Sequence, residues 1–318
     1  MSAVNHPLQP LATSAVLALL YWTPGWIDAQ SAAGQLQPSF RTGIDVVSLN
    51  VTVTDPDGRY VTDLSPEEFD VFEEGIRQEI KYFDRSNLPI ALSLLVDTSA
   101  SMEEKLSVAQ EAAVGFARRT RPEDLAEVVD FDTRVTVVQE FTNKIGDLER
   151  AIRSTSVGGS TALYNAVYIA LKELRRIRPA GAADLRRQAI VLLSDGDDTS
   201  SLVTFDEALD LAKRSETVIY AIGLRSATEP AGKGFREADF VLRELTQQTG
   251  GRVFFSTRAE ELSGVYGQIG DELSSQYLIG YVSKNLRRDG AWRKIVVQSA
   301  RPGVRARTKT GYYAPSTK

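Results

Sequence analysis

Residues 90–101 read IALSLLVDTSAS. Ile90–Val96 is a nearly continuous apolar run, the mark of a strand buried on both faces rather than one. It ends on Asp97, passes through the hydroxyl residues Thr98, Ser99 and Ser101, and enters a stretch with Leu106, Ala109, Ala113 and Phe116 at helical spacing. A buried strand followed at once by an amphipathic helix is the repeating unit of an α/β fold.

Reading outward, the same alternation continues. Leu125–Phe131 and Val135–Val138 read as strands joined by a tight turn. Leu163, Val167, Ala170, Leu171 and Leu174 mark a helix, Ala189–Leu193 a second buried strand and Val218–Ile222 a third. Helices near 205–215, 236–248 and 258–273 and a short strand at Arg252–Phe255 complete the set. The prediction for residues 88–274 is an α/β domain with a doubly wound, mainly parallel sheet, whose binding edge lies where strand carboxyl ends meet helix amino ends.

The flanks follow a different rule. Val47, Leu49, Val51 and Val53 alternate with Ser48, Asn50, Thr52 and Thr54, the period-two pattern of a half-buried strand. Short runs follow at Phe69–Phe72 and Ile76–Phe83, separated by Glu74-Gly75. Beyond residue 274, Tyr277–Val282 and Trp292–Val297 flank Asp289-Gly290, which reads as a long-looped hairpin. Val304, Ala306 and Thr308 alternate with Arg305, Arg307 and Lys309, a basic stripe read as the solvated face of a strand. Neither flank has enough strands for a core of its own. Together they supply roughly seven, enough for an immunoglobulin-like β-sandwich. The expected organisation is therefore a sandwich built from residues 44–87 and 275–318, with the α/β domain inserted between its halves.

Residues 11–22, LATSAVLALLYW, have the length of a signal-peptide core and are too short for a membrane span, which takes about 20 residues. Residues 1–29 are read as a signal peptide cleaved near Ile27-Asp28-Ala29, and 30–43 as a linker. No later segment is long enough to be transmembrane. The mature protein is expected to be exported to a periplasm, a cell surface or the medium. An exported chain without a single cysteine suits a bacterium better than a disulfide-stapled ectodomain.

Composition narrows the chemistry. The chain has 318 residues, no cysteine and one histidine, His6, which falls in the leader. Thiolate metal sites, cysteine nucleophiles, Ser–His–Asp catalysis and histidine-ligated metals are excluded together. A net charge of −5, from 37 basic and 42 acidic residues, gives no basic excess for nucleic acid. What remains is oxygen chemistry with hard cations.

Three segments fall on the predicted binding edge: Asp97-Thr98-Ser99-Ala100-Ser101, Gly158-Gly159-Ser160-Thr161 and Ser194-Asp195-Gly196-Asp197-Asp198. Singly each has a plain structural reading. Ser101-x-x-Glu104 fits a capping box, Thr161 is placed to cap its own helix, and an Asp ending a parallel strand is common. An alternative pairing, Asp130-Phe131-Asp132 with Gly196-Asp197-Asp198, approaches the pattern of haloacid-dehalogenase-type phosphatases. It fails because Arg134 stands where that pattern needs a small or hydroxyl residue. No nucleophile–base pair is visible, so no enzyme activity is expected.

Taken together, the three segments resemble the von Willebrand factor type A domain and its metal-ion-dependent adhesion site, whose pattern is D-x-S-x-S, then a distant T, then a distant D. The five positions fall on Asp97, Ser99, Ser101, Thr161 and Asp195 without departure. Val218–Leu224 (VIYAIGL) and Leu245–Phe255 (LTQQTGGRVFF) are similar to the same family. Leu64–Ile80, with its L-x-x-x-x-F-x-V-x-E-x-G-x-x-Q-x-I pattern, resembles the strand-rich flanks of bacterial type A-related proteins. The resemblance implies a divalent cation, Mg²⁺ or alternatively Mn²⁺ or Ca²⁺. Ser99 and Ser101 would be direct ligands and Thr161 a ligand mainly in the partner-bound state, with Asp97 and Asp195 holding coordinating waters. A protein partner would present an acidic residue to the open cation position. The bland alternative is a scaffold whose metal only stabilises the fold.

Overall fold

The computed structural model describes residues 45–85, 88–177, 185–194, 197–224 and 237–316. The signal peptide and linker expected over 1–43 lie outside the described residues. Among those described, no helix is long and apolar enough to cross a membrane.

The chain opens with β1 (Val46–Thr54), β2 (Phe69–Glu73), β3 (Ile76–Gln78) and β4 (Ile80–Asp84). The α/β segment runs through β5 (Ile90–Asp97), α1 (Leu106–Ala117), β6 (Leu125–Phe131), β7 (Val135–Thr142), α2 (Ile145–Ser154) and α3 (Leu163–Arg176). It continues with β8 (Arg187–Ser194), α4 (Phe205–Arg214), β9 (Val218–Leu224), α5 (Glu237–Thr249), β10 (Val253–Ser256) and α6 (Leu262–Ser274). β11 (Tyr277–Val282), β12 (Trp292–Ser299), β13 (Arg305–Arg307) and β14 (Gly311–Tyr313) close the chain.

The central sheet has six strands in the order β10-β9-β8-β5-β6-β7. All pairs are parallel except β6–β7, the antiparallel hairpin expected from the tight turn. All eight residues of β5 are buried. Leu92, Leu94 and Val96 pack toward α1, α2 and α6, and Ala91 and Leu95 toward α3, α4 and α5. This two-faced burial is why the strand reads as an unbroken apolar run. Helix α2 was not anticipated, although Leu148, Ala151 and Ile152 give it a buried stripe. It is short and otherwise charged, so its signal is weak.

The flanking strands form two four-stranded antiparallel sheets, β13-β1-β11-β4 and β14-β12-β2-β3. Each sheet mixes strands from both flanks: β1 pairs with β11 over Val46–Val51, and β2 with β12 over Phe69–Glu73. Leu49, Val51, Val53 and Ile279 from one sheet share an apolar cluster with Phe69, Val71, Ile295 and Val297 from the other.

Three expectations for the flanks are corrected. First, β11 and β12 do not form a hairpin around Asp289-Gly290; they lie in different sheets. The intervening segment crosses between sheets and is held by Arg293, which is 3% exposed and donates to the carbonyls of Asn285 and Arg287. Second, the single run at Ile76–Phe83 is two strands in different sheets, and the turn at Glu74 (φ 49°) and Gly75 (φ 78°) closes the β2–β3 hairpin. Two successive left-handed residues match the twist of a two-residue hairpin loop.

Third, the basic stripe is not a solvated face. Arg305 is exposed, but Arg307 donates to the Gly251 carbonyl (2.6 Å) and ion-pairs with Glu272 of α6. Glu272 is fully buried. It also accepts from Tyr220 of β9 (2.8 Å), Thr52 of β1 (3.2 Å) and Tyr60 (3.4 Å). Burial, together with the Glu272 charge, pushes the Tyr60 hydroxyl up to about 12. Beside this cluster, Arg187 of β8, depressed to about 10 by burial, donates to the Leu273 carbonyl and to Gln276. A buried charge is tolerated only when paired and hydrogen-bonded. Period-two alternation cannot reveal such a partner, because Glu272 comes from a helix.

Candidate metal centre

Asp97 ends β5 and is fully buried. One carboxylate oxygen accepts the Ser99 backbone N–H at 2.9 Å and the other accepts the Ser194 hydroxyl at 2.6 Å. The first bond folds the chain back so that the Ser99 and Ser101 hydroxyls lie 3.0 Å apart. Ser99 is 2% exposed, whereas Ser101 is exposed. Ser194, the last residue of β8, was not singled out from the sequence; a serine ending a strand carries no pattern of its own.

The 158–161 loop is stitched to this turn. Gly158 N–H donates to the Thr98 carbonyl (2.8 Å), and Ala100 N–H donates to the Gly159 carbonyl (3.1 Å). The two glycines are required by close approach. A Cβ on Gly158 would lie 2.5 Å from Asp132 Oδ2, and one on Gly159, which has φ +28°, would lie 2.0 Å from Thr133 Oγ1. The β6–β7 corner thus supports the loop from below: the Asp132 carbonyl accepts Ala162 N–H (2.7 Å) and Thr133 Oγ1 accepts Ser160 N–H (2.9 Å). Asp132 is a corner residue beside this edge. Asp130 accepts the Thr98 hydroxyl at 2.5 Å. Burial raises the Asp130 carboxyl and the Thr98 bond opposes that rise.

Thr161 is 5% exposed. Its backbone is clamped to the segment after β8: its N–H donates to Thr199 Oγ1 (2.9 Å), and its carbonyl accepts the N–H groups of Thr199 (2.9 Å) and Ser200 (3.0 Å). The capping roles open to these hydroxyls in the sequence are not taken. The residue preceding α1 is Lys105 and that preceding α3 is Ala162, neither with a side-chain cap. The first N–H groups of α3, which lack partners inside the helix, are satisfied from outside. Tyr164 N–H donates to Asp198 (3.2 Å) and Asn165 N–H to Ser201 (3.0 Å). Asp198 therefore shapes its loop, while Asp197 is exposed. Asp195, the fifth predicted ligand, lies outside the described residues.

The structure thus brings Asp97, Ser99 and Ser101 into one turn and holds the Thr161 loop against it. Among the described residues, no three acidic or histidine side chains converge anywhere. A cation on this edge would rest on neutral hydroxyl oxygens with carboxylates behind them. That donor set fits Mg²⁺ or Mn²⁺, which favour oxygen ligands and retain waters. Both Asp97 oxygens are engaged in orienting serines, which suits a carboxylate acting through those serines and through water. Arg134, at the position that breaks the phosphatase pattern, is exposed.

Comparison with known proteins bears on the same segment. Residues 92–197 match the family model described as the von Willebrand factor type A domain. An uncharacterized protein of Borreliella burgdorferi is 26% identical over 215 residues, covering 61% of this chain and 59% of that protein; the match therefore spans less than two thirds of the relative's length. Among solved structures, a von Willebrand factor type A protein from Catenulispora acidiphila is similar over 88% of this chain and 78% of its own, with a TM-score of 0.50 and 12% identity. An aerotolerance-related membrane protein from Bacteroides fragilis is similar over 58% of this chain and 98% of its own, with a TM-score of 0.45 and 15% identity. The segment that matches the von Willebrand factor type A model runs from β5 to the loop after β8, within the central parallel sheet and its helices.

Proposed function

We propose that this chain is an exported, metal-dependent protein-binding module and not an enzyme. A divalent cation, Mg²⁺ or in its place Mn²⁺ or Ca²⁺, is held by Ser99 and Ser101 directly. Thr161 joins when a partner binds, and Asp97 and Asp195 act through waters. The cation's contribution is a Lewis-acidic position that takes a carboxylate from a protein partner. The chain's own residues do the rest. Asp97 fixes the serine turn, Gly158 and Gly159 let the Thr161 loop approach it, and the β6–β7 corner holds that loop in place. The same reading takes the two antiparallel sheets as an immunoglobulin-like sandwich of residues 44–87 and 275–318 around a type A domain of residues 88–274, with residues 1–29 removed on export.

The observation that supports it most is the pair of hydroxyls 3.0 Å apart above a fully buried carboxylate, with Ser101 and Thr161 standing outside the N-cap positions of α1 and α3. The test is calorimetric titration of Mg²⁺ and Mn²⁺ into wild type, Asp97→Ala and Ser99→Ala. One site in the wild type and none in the variants is expected. Equal binding by all three would remove the site. Chelator should abolish partner binding while lowering the melting temperature by no more than the few degrees that release of one cation entails; unchanged partner binding with a loss of stability instead would favour a metal that only supports the fold.

A further inference from the structure

Between the C-terminus of α4 and the ends of β1, β11 and β14 lies an open cavity of about 660 Å³, within the usual size of a ligand site. Six lysine or arginine side chains line it against two carboxylates, Asp45 and Glu216. Four of the six are engaged. Arg293 is buried against Glu73, Arg214 pairs with Asp210, Arg288 pairs with Asp45, and Lys213 sits 4.1 Å from the centre of the Trp292 ring. Arg287 and Lys309 are not. Among the described residues neither side chain has a hydrogen-bond or ion-pair partner. Arg287 is exposed at the rim; Lys309 is half-buried, and burial lowers its pKa.

The floor is also under-satisfied. A small polar cleft shares Lys213, Ser215, Glu216 and Lys309 with this cavity, and it is lined further by Asn50 and Thr308. Asn50 Oδ1 and Thr308 Oγ1 are buried there without a hydrogen-bond partner. Val46 and Val47 of β1 are among the residues lining the cavity. β11 occupies one edge of β1 over Val46–Val51, whereas β13 joins the other edge only at Thr52–Thr54. The groove therefore offers unpaired cations, orphaned polar atoms and a free strand edge together.

We infer that this groove binds an extended acidic peptide segment of a protein partner, with a carboxylate paired to Lys309, a second paired to Arg287, and backbone hydrogen bonds to the free edge of β1. Burial is costly for the Lys309 cation and the Glu216 charge offsets that only in part, so an incoming carboxylate lowers the cost further. A free strand edge adds the directional contacts by which sheets recognise extended peptides, and it favours a peptide over a polyanion without backbone amides. The groove stands at the amino end of β9, opposite the Asp97 edge of the sheet. It is independent of the cation and does not rest on the metal-dependent reading.

The test uses the full chain with EDTA present throughout, so that the Asp97 edge contributes nothing. A fluorescein-labelled ten-residue Glu/Val peptide is titrated by anisotropy against wild type, Arg287→Glu and Lys309→Gln, with circular dichroism to verify folding. Saturable binding is expected, weakened about tenfold or more by Arg287→Glu, an exposed change that leaves the fold intact, and weakened similarly by Lys309→Gln. Polyglucuronate and inorganic phosphate serve as competitors. No binding, or equal binding by wild type and Arg287→Glu, overturns the inference. Displacement by phosphate or polyglucuronate at the same anion concentration as an unlabelled copy of the peptide overturns it too, because the groove would then be a general anion site. Failure of the calorimetric metal titration would leave this inference standing, and failure here would leave the metal site standing.

Discussion

Arg307→Ala discriminates sharply between a solvated stripe and a buried contact. On a solvated strand face the change would cost no more than about 0.5 kcal/mol. In the structure it removes the cation facing Glu272, whose side chain is 1% exposed, while Arg307 itself is 34% exposed. Breaking a buried pair from one side costs about 3–5 kcal/mol because a charge is left uncompensated. Two factors reduce this: solvent partly screens Arg307, and Glu272 keeps the Tyr220, Thr52 and Tyr60 donors. About 2–3 kcal/mol is expected, or roughly 6 °C in Tm for a unit of this size. Glu272→Gln leaves no buried charge and lets Arg307 turn to water, so it should cost about 1–2 kcal/mol. The double variant should cost less than the sum of the two, with a coupling of about 1–2 kcal/mol. Differential scanning calorimetry and urea titration at neutral pH supply the four values. A loss below 0.5 kcal/mol for Arg307→Ala, or strict additivity, would refute the argument.

Other outcomes follow from particular contacts. Glu127, 1% exposed with Oε1 unpartnered, is pushed up to about 7 by burial. Its folded pKa lies above the unfolded value, so its contribution is present in full below about pH 4.5 and is lost as pH rises through 7. Glu127→Gln should accordingly be near neutral at pH 4.5 and stabilise by up to about 3 kcal/mol at pH 8; parallel Tm–pH curves for the two proteins would contradict this. Gly251→Ala would place a Cβ 1.8 Å from the Ile219 carbonyl oxygen, and a loss of more than about 3 kcal/mol is expected by chemical denaturation because backbone must move. Gly158→Ala meets only the Asp132 side chain; it should cost about 1 kcal/mol of stability yet weaken Mg²⁺ in calorimetry by displacing the Thr161 loop, and unchanged affinity would count against that loop's role. A polypeptide of residues 44–87 should give no dispersed NMR spectrum, because among the described residues the strands that pair with β1 are β11 and β13, both from the far end of the chain; a cooperative fold from it would disprove the interdigitated sheets.

What the sequence made legible was whatever is written in local periodicity. Ile90–Val96, Ala189–Leu193 and Val218–Ile222 are strands because burial on both faces demands unbroken apolar runs. The hydroxyl and carboxylate spacing around Asp97 placed a turn on the correct sheet edge. The failures in the flanks share a cause, which is that pairing partners are distant in the chain. Asp289-Gly290 looks like a hairpin turn, yet Trp292–Ser299 pairs with Phe69–Glu73, more than two hundred residues away. Arg307 looks solvated because its partner Glu272 belongs to a helix. Ser194 was named only as the start of its segment, and Thr199 not at all, because a lone hydroxyl is informative only once its acceptor is known. Helix α2 was missed because few of its residues are apolar.

The α/β segment leaves the flanking antiparallel sheets at Asp84 and returns at Tyr277, and these two ends sit on neighbouring strands, with Leu278 opposite Asp84. Its two tethers therefore emerge side by side. A force applied at the Asp97 edge would draw β4 and β11 together in one direction. β1 runs antiparallel to β11, with Val46 opposite Val282 and Val51 opposite Tyr277, so its start lies at the far end from the pull. If the chain is held from its N-terminal side, tension acts along the strands and loads all six register pairs of β1–β11 at once, rather than peeling them one by one. Such a geometry resists rupture through many bonds in parallel. The interleaving of strands from the two ends of the chain would thus also make the module a mechanical coupling.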